Sequence, residues 1–195
     1  MEKVNENFVS AAKPNVTGSV HVAPKGTKLP TDATTSLDAA FKSLGYISED
    51  GFTIGKSVSV NKTKAWGGAV VDSNETEKTE TLKVAFIESM NPEVLKLYYG
   101  SKNVTGDIST GLNVVSDDKE AEEMVIVIDS IMKGGIAKRT VIERAKIESY
   151  DDVSNVDSKV VKYGATFTLL RGADGVFHHE YLKAATVAAA SQASE

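Results

Sequence analysis

The sequence predicts a mainly β fold, a sandwich or partly closed barrel with a short helix lying against it. Three stretches carry that prediction. Val161, Tyr163, Ala165, Phe167 and Leu169 alternate with small or polar residues, the period of a strand with one buried face. The run MVIVIDSIM from Met124 to Met132 is apolar at odd and even positions alike, as in a strand covered on both sides. In the segment 76–100, Leu82, Val84 and Phe86 point one way while Lys83, Ala85 and Ile87 point the other. The period then changes to helical. Asn91 is suited to the N-cap, Pro92 to the first helical position and Glu93 to the positive end of the dipole. Val94 and Leu95 meet Tyr98 and Tyr99 at helical spacing, and Gly100 is a natural stop.

The remaining elements follow in order. Residues 1–17 have no clear period and are expected to form an arm, frayed or pinned by a partner, with Val4 and Phe8 as its apolar anchors. Residues 18–23 make a short strand with Val20 and Val22 on one face and His21 on the other. After a Pro/Gly/Thr-rich loop, a capping-box-like start at Thr35 and Asp38 predicts a short helix with Leu37, Ala40, Phe41 and Leu44 inward. Glu49, Asp50 and Gly51 signal a tight turn. Residues 52–73 offer two half-strands interrupted by Lys64, Trp66, Gly67 and Gly68. A tryptophan beside flexible chain most often seats on its own core; an interface anchor, a role in which Trp is enriched, is the other reading. A mixed loop over 101–111 precedes extended chain at 112–115. The glycines at 134 and 135 turn Met124–Met132 into an antiparallel partner over 136–149, with Val141 and Ile147 on one face and Ile136 and Ile142 on the other. Ala173, Asp174 and Gly175 close a last hairpin into VFHHEYLK, and residues 184–195 form a small, polar tail. The domain organisation expected is an arm (1–17), one β domain (18–183) and a tail (184–195).

Composition fits this. The 195 residues are 41% hydrophobic and 25% charged, ordinary for a soluble globular chain. No apolar run reaches the ~18 residues of a membrane span, so no membrane partner is expected. The absence of cysteine removes disulfides, thiolate metal sites and cysteine nucleophiles. A chain made and kept in the cytoplasm fits best. The net charge of −5 is unevenly spread: twelve acids face five bases over 72–123, and five bases face one acid over 133–147. Two solvated faces explain this most simply; steering between copies of the chain is the sharper alternative.

Chemistry is sparse. The acidic run 117–123 lacks the spacing of a Ca²⁺ loop. His178 and His179 are adjacent on a strand, so they point to opposite faces, and His21 supplies no positioned carboxylate for a metal. Spacing alone does not pair Glu80 with Glu88 as a general acid and base. No nucleophile elbow, zinc-binding helix motif or phosphate loop is present. The basic stretch has no interleaved aromatics to stack on bases. The residues therefore exclude a recognisable enzyme, imply no cofactor or metal, and leave a structural or interaction protein.

Four segments sharpen that class: GSVHVAPKGTKLPTDATTSLDAAFKSLGYISEDG, the KAWGG turn, TEKTETLKVAFIESMNPEVLKLYYG and MVIVIDSIMKGGIAKRTVIERAKIES. In order, spacing and phrasing the chain resembles the major tail tube proteins of long-tailed bacteriophages, from about residue 13 to 183. The resemblance implies a sandwich of two crossed antiparallel sheets with one flanking helix, here Pro92, Val94, Leu95 and Tyr98. It implies hexameric rings whose inner strands join around a lumen, stacked into a tube in the virion tail for DNA ejection, after synthesis in the bacterial host cytoplasm. The long loop with Lys64, Trp66, Gly67 and Gly68, together with the arm carrying Val4 and Phe8, is expected to reach the neighbouring ring. A tape-measure protein and other tail proteins are the expected partners, and viral DNA passes without specific binding. A contractile-tail or type VI-like secretion tube shares this physics. A carbohydrate-binding sandwich is the alternative of another class, and one Trp with scattered Tyr supports it little.

Overall fold

The computed structural model describes residues 9–14 and 19–184. The strands are β1 (Lys13–Pro14), β2 (Val20–Pro24), β3 (Lys42–Ser43), β4 (Ile47–Lys64), β5 (Val70–Phe86), β6 (Val104–Asp107), β7 (Gly111–Val114), β8 (Met124–Met132), β9 (Ile136–Tyr150), β10 (Tyr163–Leu170) and β11 (His179–Ala184), with one α-helix, α1 (Pro92–Tyr99). Among the described residues the fold is mainly β with a single flanking helix. Every pairing is antiparallel. Nine strands form one large sheet, seven of them in the order β3-β2-β8-β9-β10-β5-β4 with β1 added on β8 and β11 on β9, and β6 with β7 forms a second, small one.

The alternations in the sequence become the core. Leu82, Val84 and Phe86 of β5 and Ala165, Phe167 and Leu169 of β10 are each at most 2% exposed. They meet Val20 of β2, Ile126 and Ile128 of β8, Ile142 of β9 and Val94 of α1 in one cluster. Strands from β2 to β5 can share one cluster only if the sheet curls around it. The helix forms as its caps dictate: the Asn91 side chain accepts from the Glu93 amide at 3.0 Å, and Gly100, at φ 99°, donates to Lys96 O.

β8 is covered on both sides, as its composition demands. Val125 and Val127, with Val141 and Ala23, face a second cluster roofed by Leu29, Leu37 and Phe41 of the segment 25–41. That segment is a strap and not a helix. The Asp32 carboxylate takes the amides of Thr34 and Thr35 at 2.6 and 2.5 Å, which holds its pKa well below the usual range. Arg139 takes the carbonyls of Asp32 and Thr35 at 3.2 and 2.6 Å, and Asp38 takes the Ala40 amide. Polar side chains thus claim the backbone groups that a helix would need. Phe41 and Leu44 are nevertheless buried, as their spacing predicts.

Three further expectations are corrected. Val141 and Ile147 do not share a face. The β8–β9 register shifts between Met124 and Ile126, so an extra residue in β9 carries Ala145 and Ile147 round to the face of Ile142. Glu49, Asp50 and Gly51 do not reverse the chain. They belong to a wide irregularity in β4 between Ile47, which pairs Phe86, and Phe52, which pairs Val84. The turn after β10 does not fold β11 back on β10. Both strands pair β9, at its second and first halves respectively, so β11 resumes the line of β10 after an excursion. The mixed loop over 101–111 contains β6.

Val4 and Phe8, with the rest of 1–8 and 15–18, lie outside the described residues, as does the tail from 185. The described part of the arm is held by its own chain: Lys13 and Pro14 pair Ile131 and Ser130, and Lys133 donates its amide to Ser10 Oγ at 2.6 Å.

Phe167→Ala is expected to cost about 3–5 kcal/mol, seen as a lower urea midpoint with an unchanged slope. His21 gives a pH signature. Its Nδ1 is buried with no hydrogen-bond partner, and burial lowers its pKa from the ordinary 6.5, with Asp129 opposing and Arg139 adding a smaller effect. The unfolded chain therefore binds the proton that the native one resists. The contribution is full above pH 6.5 and is lost as pH falls through the lowered native value. His21→Gln should flatten that part of the acid slope of stability relative to the parent chain.

Candidate assembly surface

β4 and β5 are 18 and 17 residues long, and only their inner halves lie on the body. β10 supports β5 from Phe86 back to Glu80 and no further. Beyond that rung the two strands continue as an isolated ribbon, pairing Ser57 with Thr79 and ending with Lys64 against Val70. Every residue from Lys56 to Lys78 is exposed. The expected loop of interrupted half-strands is thus one continuous hairpin arm.

The tip is the KAWGG turn. Ala65 donates to Ala69 O at 2.8 Å and Gly68 to Ala65 O at 2.9 Å, closing a tight reversal. Gly67 and Gly68 sit at φ 103° and 90°, where a side chain would be strained. Trp66 is fully exposed, at 107% of its reference area. It does not seat on the core of its own subunit, which overturns the more common reading of such a tryptophan. Lys64 lies on the last rung beside it.

The arm has two unlike faces. By register, Val58, Val60, Lys62 and Lys64 of β4 share a face with Lys78, Glu75 and Val70 of β5. The opposite face carries Ser57, Ser59, Asn61 and Thr63 against Thr79, Glu77, Asn74 and Asp72. The bulge at Thr76 makes this arrangement, and it brings Lys78 and Glu75 into an ion pair. Val58, Val60 and Val70 are 50%, 44% and 52% exposed, an apolar stripe with no cover among the described residues.

At the root of the arm sits Glu80, a residue that spacing alone reads as a solvated acid. It is 8% exposed and accepts from His178 at 2.7 Å on one oxygen and from Lys56 at 2.9 Å on the other. The signal was its parity: Glu80 occupies the inward position one step before Leu82. Glu88 lies apart, on the Tyr46 amide and the Asn91 side chain, so the two acids form no pair. His178 and His179 diverge as expected, His179 going to Asp174 at 2.6 Å. Among the described residues no three His, Asp or Glu side chains are placed to hold a metal.

The helix residues belong to the body. Val94 and Leu95 are 0% and 6% exposed, and Pro92 is half-buried. Tyr98 stands edge-on to Tyr99, Tyr150 and Tyr163 at 4.7–5.1 Å and donates its hydroxyl to Asp151 O at 2.7 Å. Burial raises the hydroxyl pKa of Tyr98, Tyr150 and Tyr163. These residues pack the helix against the body. A cleft of about 420 Å³ beside the β4 irregularity is lined by Asp50, Lys83, Asp151, Asp152 and Lys162 among others, without a nucleophile and base in contact.

The uneven charge is offset in part within the chain. Glu123 holds Lys25 at 2.8 Å and Arg144 through two bonds of 2.9 Å, and this pulls its pKa to about 2. Glu120 pairs Lys146, and Asp129 pairs Arg139 through bonds of 2.6 and 2.9 Å. Two of the five bases of 133–147, Arg144 and Lys146, are thus paired with acids of 72–123.

A family model described as "Phage tail tube protein" matches residues 5–193, nearly the whole chain, and the chain belongs to that family. It is thus a structural component of a phage tail. No curated protein matches it.

Trp66→Ala should change the stability of the isolated subunit by less than about 0.5 kcal/mol, checked by chemical denaturation. As the sole tryptophan, Trp66 should emit as a water-exposed indole in that subunit and be quenched by iodide.

Proposed function

Proceeding from tail tube membership, we propose that this chain assembles into hexameric rings that stack as the tube of the virion tail, the conduit for DNA ejection. Its arm is the inter-ring contact, with Lys64, Trp66, Gly67 and Gly68 at the tip as the contact residues. The N-terminal arm with Val4 and Phe8 acts alongside it. A tape-measure protein occupies the lumen before ejection, other tail proteins cap the tube, and viral DNA passes without specific binding. The subunit is synthesised in the bacterial host cytoplasm and works in the virion.

The observation that carries this reading is the arm itself. A two-stranded ribbon is at best marginally stable alone in water, and this one exposes four valines and a tryptophan. Cover by another copy would supply what the subunit lacks. A second feature agrees. β4 closes one end of the strand order, so its edge from Phe52 onward lies open to lateral pairing. A head-to-tail contact of unlike surfaces that closes on itself makes rings, and one that does not makes filaments. The tube uses both, laterally through strand edges and axially through the arm.

Size-exclusion chromatography with negative-stain microscopy tests this. The parent chain should form rings or tubes as its concentration rises, and Trp66→Ala should remain a folded subunit that fails to stack. A parent chain that stays monomeric at high concentration would overturn the proposal. So would Trp66→Ala tubes indistinguishable from those of the parent chain, for the role of the tip.

A further inference from the structure

The sheet face turned away from the main core is roofed in one half and bare in the other. The strap covers β2, β8 and the first half of β9 through Leu29, Leu37 and Phe41. Past the β9 bulge no strap lies over the corresponding face of β9, β10, β5 and β4 among the described residues, and the side chains of Asp151 and Glu120 reach onto it at Lys83 and Lys146. Register sets its rungs. Ser149, Thr166, Lys83 and Thr53 form one, and Lys146, Thr168, Thr81 and Gly55 the next, with Ser57 and Thr79 beyond.

The chemistry of this face is narrow. It is built from hydroxyls and glycine. Its two lysines are both engaged: Lys83 lies 3.4 Å from Asp151, and Lys146 is paired with Glu120. Thr168 donates to Glu148 at 2.8 Å, leaving a carboxylate but no unpaired cation on these rungs. Such a surface holds water well and gives a protein partner little to bury. On these rungs phosphate meets only paired lysines, whereas retention needs free cations whose counterions are released.

We infer that this bare threonine face lines the lumen, with a hydrated duplex polyanion as its passing occupant. The inference rests on the tube reading above. Geometry supplies the orientation. Because the sheet curls round one cluster, its roofed and bare halves point in opposed directions. A closed ring has less room inside than outside, so the half thickened by the strap turns outward and the thin half inward. The continuous run of β9, β10, β5 and β4 then forms the wall, with the β4 edge meeting the next subunit.

The chain has no cysteine, which makes the assignment directly testable. Thr166→Cys places a thiol on the bare face, and Ser36→Cys places one on the exposed strap. Each variant is treated with N-ethylmaleimide and with a large polyethylene-glycol maleimide, as free subunits and as tubes checked by microscopy. Free subunits of both should react with both reagents. In tubes, Ser36→Cys should still react with both. Thr166→Cys should keep the small reagent, which diffuses along the lumen, and lose the large one. Full reaction of Thr166→Cys with the large reagent in tubes would place the face outside. Loss of both reagents would bury it between subunits. Either result overturns the inference while leaving the tube intact. Failure of the parent chain and both variants to form tubes would instead sink the tube reading, and the lumen assignment with it.

Discussion

The structure depends on one constraint: the β8–β9 hairpin is apolar on both faces and must be covered on both. Ile126, Ile128 and Ile142 look into one cluster, Val125, Val127 and Val141 into the other. The first demand is met by curling the rest of the sheet and laying α1 inside the curl. The second is met by a strap with no regular structure of its own. What fixes the strap is a buried ion pair. Arg139, 6% exposed, is oriented by Asp129 and spends its remaining donors on two strap carbonyls. A guanidinium suits this position because its fork serves a carboxylate and backbone oxygens together. Without that cover the valines of β8 would face water.

Most of the fold was legible because the signals were local. Period 2 in 161–169 and 82–86, the cap at Asn91 and the stop at Gly100 each act within a few residues, and each appears where the pattern places it. What was not legible came from partners distant in sequence. The residues 35–44 carry a fair helix signal, but Arg139 lies about a hundred positions away and takes the carbonyl of Thr35. The bulge that moves Ile147 to the face of Ile142 has no composition signature. β11 extends β10 rather than folding onto it, because the first half of β9 offers an edge that only the assembled sheet reveals.

The assembly surface was half legible. Trp66 with two glycines marks a turn from sequence, and the structure adds that the turn caps an arm. The length of that arm was hidden because its strands alternate serine, threonine, asparagine and charge, with no buried face to set an apolar period. Glu80 was passed over for the converse reason. Acids are common along β5, and only the parity of Leu82, Val84 and Phe86 singles out the one that turns inward. Charge patterning along the chain did not show that Glu120 and Glu123 pair across the fold with Lys146 and Arg144.

The irregularities within the arm have a protective consequence. A ribbon with exposed valines and two open edges is a template for indiscriminate strand addition, the route to fibrous aggregates. This ribbon breaks register between Ser59 and Val60 and again between Thr63 and Lys64, with the extra residues Thr76 and Val71 on β5, so the β5 edge is neither flat nor regular. Lysines at 62 and 64 add charge where the kinks lie. A strand from an unrelated chain cannot run along such an edge for more than a few rungs. A surface shaped to the kinked arm can, and so the defects in the ladder separate ordered polymerisation from sticking.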